Sequence, residues 1–398
     1  MAKLAWQGGP RECRAQWPAW PVWGPAERRA VLRVLESGKW WHGENVLAFE
    51  RAFARFQGAR HGVTCNSGTA GLEAALGGLG VGPGDEVIVP AYTFIATASA
   101  VIRAGAKVVF ADVRPDNLCL DPDDVERKLG TRTKAVIPVH FCGNVADMDR
   151  LNAIARRRRL LVIEDACHAW GSRWKGRGAG ALGTCGAFSF QISKNITAGE
   201  GGIMLTDDEG IADAARSVTN CGRCKSGGWY EHTLIGTNLR MTEIQAAILR
   251  VQLTRLEEQT IRREENARRL DARVRGIPGI RIIDWVDPRI TRRSYHMYSF
   301  RFTAEEWPGV SRDRFVAAMQ AEGVPVGAGY PYPLYKNPVF QRPELGRDYS
   351  DVSCPNAERM CQEACWIMHP ALLGSPEDTD DIARAMEKVR DSAQALAE

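Results

Sequence analysis

The sequence predicts an α/β fold: a mostly parallel sheet covered by helices on both faces, followed by a smaller α+β region. Three observations predict it. From about residue 60 to 205, short β-rich runs alternate with helix-like segments. Those runs are apolar without interruption, as strands are when both faces are covered. A long stretch of helical spacing then leaves this region, and a second set of strand and helix patterns begins beyond it.

Taken in order, "HGVTC" reads as a strand before the helix-like "SGTAGLEAALGGLG". "DEVIVP" precedes "TFIATASAVIRAG", and "AKVVFADV" follows. "TKAVIPVHF" precedes "ADMDRLNAIARRRR", then "LLVIED". Residues 238–276 keep helical spacing throughout and read as a spine helix. From about residue 277, "SYHMYSFRF" reads as a strand and "SRDRFVAAMQAEG" as a helix. The resulting division is a large ligand-binding domain with an N-terminal arm, 1–260, and a small C-terminal α+β domain, 261–398.

The bulk properties narrow the function. The chain has 398 residues, 44% hydrophobic and 25% charged, which is ordinary globular composition for about two domains. A net charge of +4 gives no footprint for nucleic acid, and the run Arg156–Arg159 closes a helix, where cations suit the dipole. No stretch approaches the roughly 20 apolar residues of a membrane span, and the N-terminal segment lacks the pattern of a signal peptide. Eleven cysteines without such a signal read as cytosolic thiols, so a cytoplasmic location is expected. Cys221 and Cys224 have no second pair to complete a zinc site, and no metal is expected. "GAGALG" at 178–183 matches a dinucleotide-binding pattern but follows polar "SRWKGR" and leads into a strand, so the required context is missing.

In an open α/β sheet, ligands bind at the carboxyl ends of strands. Ser67, Gly68 and Thr69 follow the first strand and open a helix, which suits a phosphate or a plain N-cap. Tyr92 follows the second strand, where its ring could stack on a flat ligand or fill core. Glu164 and Asp165 follow "LLVI", so one carboxylate is buried near the sheet end and needs a cationic partner. His168 lies three residues on, either in the same site or satisfied in the core. Lys194 sits in "FSFQISKNITAGEGG", a polar loop bounded by glycines. A pocket lysine can lose its proton and condense with an aldehyde. A phosphate cradle, a flat ring, a buried aspartate and an amine are together what pyridoxal 5'-phosphate requires.

On these residues the chain resembles the vitamin-B6-dependent sugar aminotransferases of the DegT/StrS type. The motifs are "NSGTAGLEAAL", "GDEVIVPAYTFIAT", "AVIPVHFCGNVADMD", "VIEDACHAWGS", "FSFQISKNITAGEGG" and "GTNLRMTEIQAAIL", in the family's order. The resemblance implies the aspartate-aminotransferase-like fold and a homodimer with active sites at the subunit interface. It implies Lys194 as the Schiff-base lysine, Asp165 as the partner of the pyridinium nitrogen, and Ser67, Gly68, Thr69 and Ser189 as the phosphate site. Tyr92 matches the stacking aromatic, and His168 stands near the cofactor hydroxyl. Asn238 matches a residue that reaches the neighbouring subunit's phosphate, with Arg240 beside it as a candidate substrate contact. Within the family the chain looks similar to two branches, 3-amino-5-hydroxybenzoate synthase and the glutamine-dependent cyclitol aminotransferases acting on scyllo-inosose. Both imply antibiotic-like secondary metabolism, L-glutamine or L-glutamate as amine donor, and a cyclic ketone acceptor. The rival reading is a dehydratase or lyase of the 3-amino-5-hydroxybenzoate synthase type; a B6-binding regulator lacks an appended DNA-binding segment. The segment "GAGYPYPLY" (327–335) is a further candidate for the pocket wall.

Overall fold

The computed structural model describes residues 3–225, 228, 230–283, 287–342 and 348–397. Its main sheet has seven strands: β1 (His61–Cys65), β2 (Glu86–Pro90), β3 (Lys107–Ala111), β4 (Thr133–Val136), β5 (Leu161–Asp165), β8 (Cys185–Ser189) and β9 (Gly202–Thr206). Their order is β1-β9-β8-β5-β4-β2-β3. Only β9 runs against the rest, pairing antiparallel with β1 on one side and β8 on the other. The other strands therefore point their carboxyl ends to one edge. The apolar runs are uninterrupted because helices cover both faces; Val87, Ile88, Val89 and Val108 are fully buried.

A separate small sheet is formed by β6 (Arg173–Trp174), β7 (Arg177–Gly178) and β11 (Ile290–Arg292). A four-stranded antiparallel sheet, β10 (Ile280–Ile282), β12 (Met297–Phe302), β14 (Ala364–Met368) and β13 (Val326–Ala328), carries the second core. Phe300, Phe315, Ile382 and Met386 fill that core, and Leu4 and Cys13 from the N-terminal arm join it. Conversely, Leu334, Tyr335 and Phe340 join the first core. The long helix is Glu243–Val274, shorter at its start than the periodicity of 238–276 predicts. Thr242 ends it: its hydroxyl caps the Gln245 N–H, and the Gln245 side chain returns to the Thr242 N–H. Residue 260 falls within this helix.

Strand alternation separates the two carboxylates at the end of β5. Glu164 is fully buried and turns away from the ligand edge. It accepts hydrogen bonds from the N–H groups of Gly180 (2.7 Å), Leu182 (2.6 Å) and Gly183 (2.6 Å). Its fourth partner is His140. The Ala146 N–H donates to His140 Nδ1, so the ring proton lies on Nε2 and is donated to Glu164 at 2.7 Å. The glycine-rich segment 178–183 is thus a cradle for an internal carboxylate. Replacing Glu164 by Gln would aim an amide N–H at donors already in place. We expect Glu164→Gln to cost about 3 kcal/mol of stability, read as a lower thermal unfolding midpoint. An unchanged midpoint would refute this account of the segment.

Candidate active site

The carboxyl edge of the main sheet opens into a cavity of about 570 Å³. Its wall includes Ser67, Gly68, Thr69, Asp165, His168, Ser189 and Lys194 from the large sheet region. The four-stranded sheet adds Met297, Trp366 and Met368, and Tyr330 follows β13.

The first turn of the helix Gly68–Gly78 supplies the anion end. Ser67 caps it through a 3.1 Å bond from the Ala70 N–H. The N–H groups of Gly68 and Thr69 belong to the first turn, which has no intrahelical acceptors for them. Gly68 is required by close approach: a Cβ there would lie 2.7 Å from Cys167 Sγ and 2.7 Å from Ser189 Cβ. That approach brings Ser189 beside the helix start.

Asp165, only 6% exposed, is held on both oxygens. Thr97 Oγ1 donates to Oδ2 at 2.7 Å, and the Cys167 N–H donates to Oδ1 at 3.2 Å. Thr97, in the helix Ala96–Arg103, lies four residues after Thr93, whose hydroxyl is 3.2 Å away. Lys194 enters from the loop after β8. Burial pushes its amine below the ordinary 10.5, while Cys167 and Asp165 partly offset that shift. No carboxylate pairs with its Nζ among the described residues, and the nearest cation–π partner is Trp170, with its ring centre at 5.9 Å. An amine with a lowered pKa is more often unprotonated at neutral pH, as a nucleophile must be.

His168 is buried, and its imidazole is pushed well below the ordinary 6.5, first by burial and then by Lys194. It therefore stands neutral. Its Nδ1 is buried without a hydrogen-bond partner, although the residue lines the cavity. An orphaned polar atom in a cavity wall calls for a polar group on the ligand.

The ring expected to stack, Tyr92, does not line the cavity. It is 1% exposed, packs on Phe141 and Tyr330, and accepts the Tyr330 N–H at 3.3 Å. The sheet's pairing continues through Ala91, whose N–H donates to Ala111, so Tyr92 turns inward with the core. Phe94, two residues on and 58% exposed, is the aromatic that this strand end places on the wall. We expect Phe94→Ala to weaken cofactor retention about fivefold, the equivalent of one lost stacking contact of about 1 kcal/mol. Tyr92→Phe should leave retention unchanged; equilibrium dialysis of the two variants tests both.

Asn238 and Arg240 do not reach this cavity within one chain. Asn238 is exposed and bridges Asn220. Arg240 donates to Asn220 Oδ1 at 2.9 Å and lies over Trp41, 5.5 Å from its ring centre. Tyr330 comes from the segment 327–335 expected at the pocket wall, whereas Thr97, Phe94 and Trp366 are wall or support residues that the motifs do not single out. The spacing of Thr93 and Thr97 was a usable signal for Thr97; Trp366 carried none.

The model of the DegT/DnrJ/EryC1/StrS aminotransferase family matches residues 23–387. The chain belongs to this family. It is 39% identical to L-glutamine:2-deoxy-scyllo-inosose aminotransferase of Streptomyces fradiae, over 98% of both chains. It is 38% identical to 3-amino-5-hydroxybenzoate synthase of Amycolatopsis mediterranei (strain S699), over 91% of this chain and 94% of the relative. The crystal structure of a 3-amino-5-hydroxybenzoic acid synthase superposes with a TM-score of 0.87 at 37% identity, over 96% of this chain and 99% of the other. As a DegT/DnrJ/EryC1/StrS protein the chain is an aminotransferase, with the α/β aminotransferase fold that its sequence predicts.

Proposed function

We propose that this aminotransferase uses pyridoxal 5'-phosphate to move the amino group of L-glutamine, or L-glutamate, onto a cyclic ketone: a cyclitol, keto-sugar or aminoshikimate-type ring. The observation that carries the reading is Lys194, a half-buried amine with no ion-pair partner among the described residues, which shares one cavity with Asp165 and a helix N-terminus. The names of the relatives support the donor and the ring.

The residues fit the cofactor. Ser67, Gly68, Thr69 and Ser189 would hold its phosphate on neutral donors, Asp165 its ring nitrogen, and His168 Nδ1 its remaining polar edge. Phe94, exposed on the wall beside the strand end, would meet its face. When bound, the cofactor supplies an aldehyde that takes the donor's amine and a ring that accepts the electron pair left when a proton is removed. Lys194 Nζ would hold the aldehyde carbon and, as a free amine, would carry the proton from one carbon to its neighbour. Asp165 keeps the ring nitrogen protonated, so the electron pair has somewhere to go. Thr97 and the Cys167 N–H orient that carboxylate.

The same reading has the enzyme act as a cytoplasmic homodimer. Trp41 (58% exposed), against Arg240, and Ile235 (99%), three residues before Asn238, are large apolar side chains left exposed at the segment of Asn238 and Arg240. A second copy covering it would carry those two residues toward the neighbouring cavity. Among the described residues no helix is long and apolar enough to cross a membrane.

The test is the visible spectrum of the purified protein with pyridoxal phosphate, before and after L-glutamine. A band that appears and then fades supports amino transfer from glutamine. A band untouched by glutamine and glutamate favours the second reading, a dehydratase or lyase of the 3-amino-5-hydroxybenzoate synthase type, which the 38% relative supports. No band at all refutes the assignment of Lys194.

A further inference from the structure

Arg263, in the long helix Glu243–Val274, is a buried cation that the chemistry above does not use. It is fully buried, and burial pulls its guanidinium down to about 9. No carboxylate pairs with it among the described residues, and its Nε and Nη1 have no hydrogen-bond partner. An unpaired buried charge is expensive, so what it touches is informative.

Among the described residues its guanidinium meets one hydrogen-bond acceptor and one aromatic face. Nη2 donates to His369 Nδ1 at 3.2 Å, and the guanidinium lies 5.8 Å from the ring centre of Trp20. His369 Nε2 is 3.0 Å from the Ser193 carbonyl, which can only accept, so the ring proton is on Nε2. That leaves Nδ1 bare to receive Arg263, and the two bonds select one tautomer. Trp20 Nε1 donates to the Ile192 carbonyl at 2.8 Å, and its ring meets His369 edge-on at 4.5 Å. The two carbonyls immediately before Lys194 are therefore both held by side chains resting on Arg263. On the other side of Lys194, Asn195 Oδ1 accepts from His296 Nδ1 at 3.0 Å, and His296 stacks on His369.

We infer that Arg263 is a positioning residue for Lys194, acting through Trp20 and His369 to hold the backbone that presents the amine to the cavity. The inference rests on the reading of Lys194 as the cofactor-binding amine. It predicts a split between two ligands. Pyridoxamine phosphate needs the cavity but not the amine; pyridoxal phosphate needs both.

The experiment compares wild type, Arg263→Met, His369→Gln and His369→Phe, with folding checked by circular dichroism. Pyridoxamine phosphate affinity is measured by fluorescence. Covalent capture of pyridoxal phosphate is measured by borohydride reduction of the C=N bond formed with loss of water, followed by peptide mapping. Arg263→Met and His369→Phe should slow capture at Lys194 at least tenfold and change pyridoxamine phosphate affinity less than twofold. His369→Gln, which keeps a side-chain N–H donor for the Ser193 carbonyl, should recover most of the capture rate. Capture at the wild-type rate in Arg263→Met overturns the inference, as does an equal loss of both ligands. If Arg263→Met does not fold, the His369 pair decides: equal capture by Gln and Phe overturns it. Absence of label on Lys194 in the wild type instead overturns the reading beneath it.

Discussion

Lys194→Ala should abolish turnover, by at least about 10⁴-fold, with the fold intact. The side chain does two jobs in the proposed reaction, covalent anchoring and proton transfer, and no second amine lines the cavity among the described residues. Truncation removes a half-buried group that makes no ion pair among the described residues, so no partner is left stranded there. The visible band with pyridoxal phosphate should disappear together with turnover. Lys194→Arg is the control for charge: it keeps a cation that cannot give up its proton, and should be equally inactive. Turnover retained by either variant would end the assignment.

Asp165→Asn separates charge from shape. The amide oxygen can still accept from Thr97, whose hydroxyl now holds Oδ2 at 2.7 Å, and only the longer 3.2 Å bond from the Cys167 N–H is lost, so the strand end should keep most of its form. What is lost is the anion that stabilises a protonated ring nitrogen. Turnover should fall by two to three powers of ten, about the loss seen when one preorganised electrostatic contact is removed. Cofactor should still bind, more weakly. Wild-type rates in Asp165→Asn would show that the carboxylate is only a structural acceptor for Thr97 and Cys167.

Much of the site was legible because strand ends in an α/β sheet are where ligands go, and motifs at those ends can be read locally. Ser67, Gly68, Thr69, Asp165, His168, Ser189 and Lys194 all follow or end a strand, and all line one cavity. Tyr92 and Phe94 show the limit. Both follow β2 within four residues, and only the turn of the chain after Ala91 decides which ring faces the ligand. Tyr330 and Trp366 come from the small region, more than 130 residues beyond Lys194, so their approach depends on packing that no local pattern encodes. The reversed strand β9 was hidden for a similar reason: an apolar run carries no sign of its direction. Asn238 and Arg240 are further out of reach, since their proposed role lies across a boundary between two molecules.

The back-to-back placement of Glu164 and Asp165 has a genetic consequence. A strand's side chains alternate, so losing or gaining one codon between Leu160 and Asp165 would exchange the two carboxylates. The longer acid would enter the cavity, and the shorter would face donors spaced for Glu164. Neither defect could be repaired at the other position, because each residue is correct only in its own register. In a library of natural or made variants, this six-residue stretch should accept several apolar substitutions at Val162 and Ile163 while rejecting every change of length.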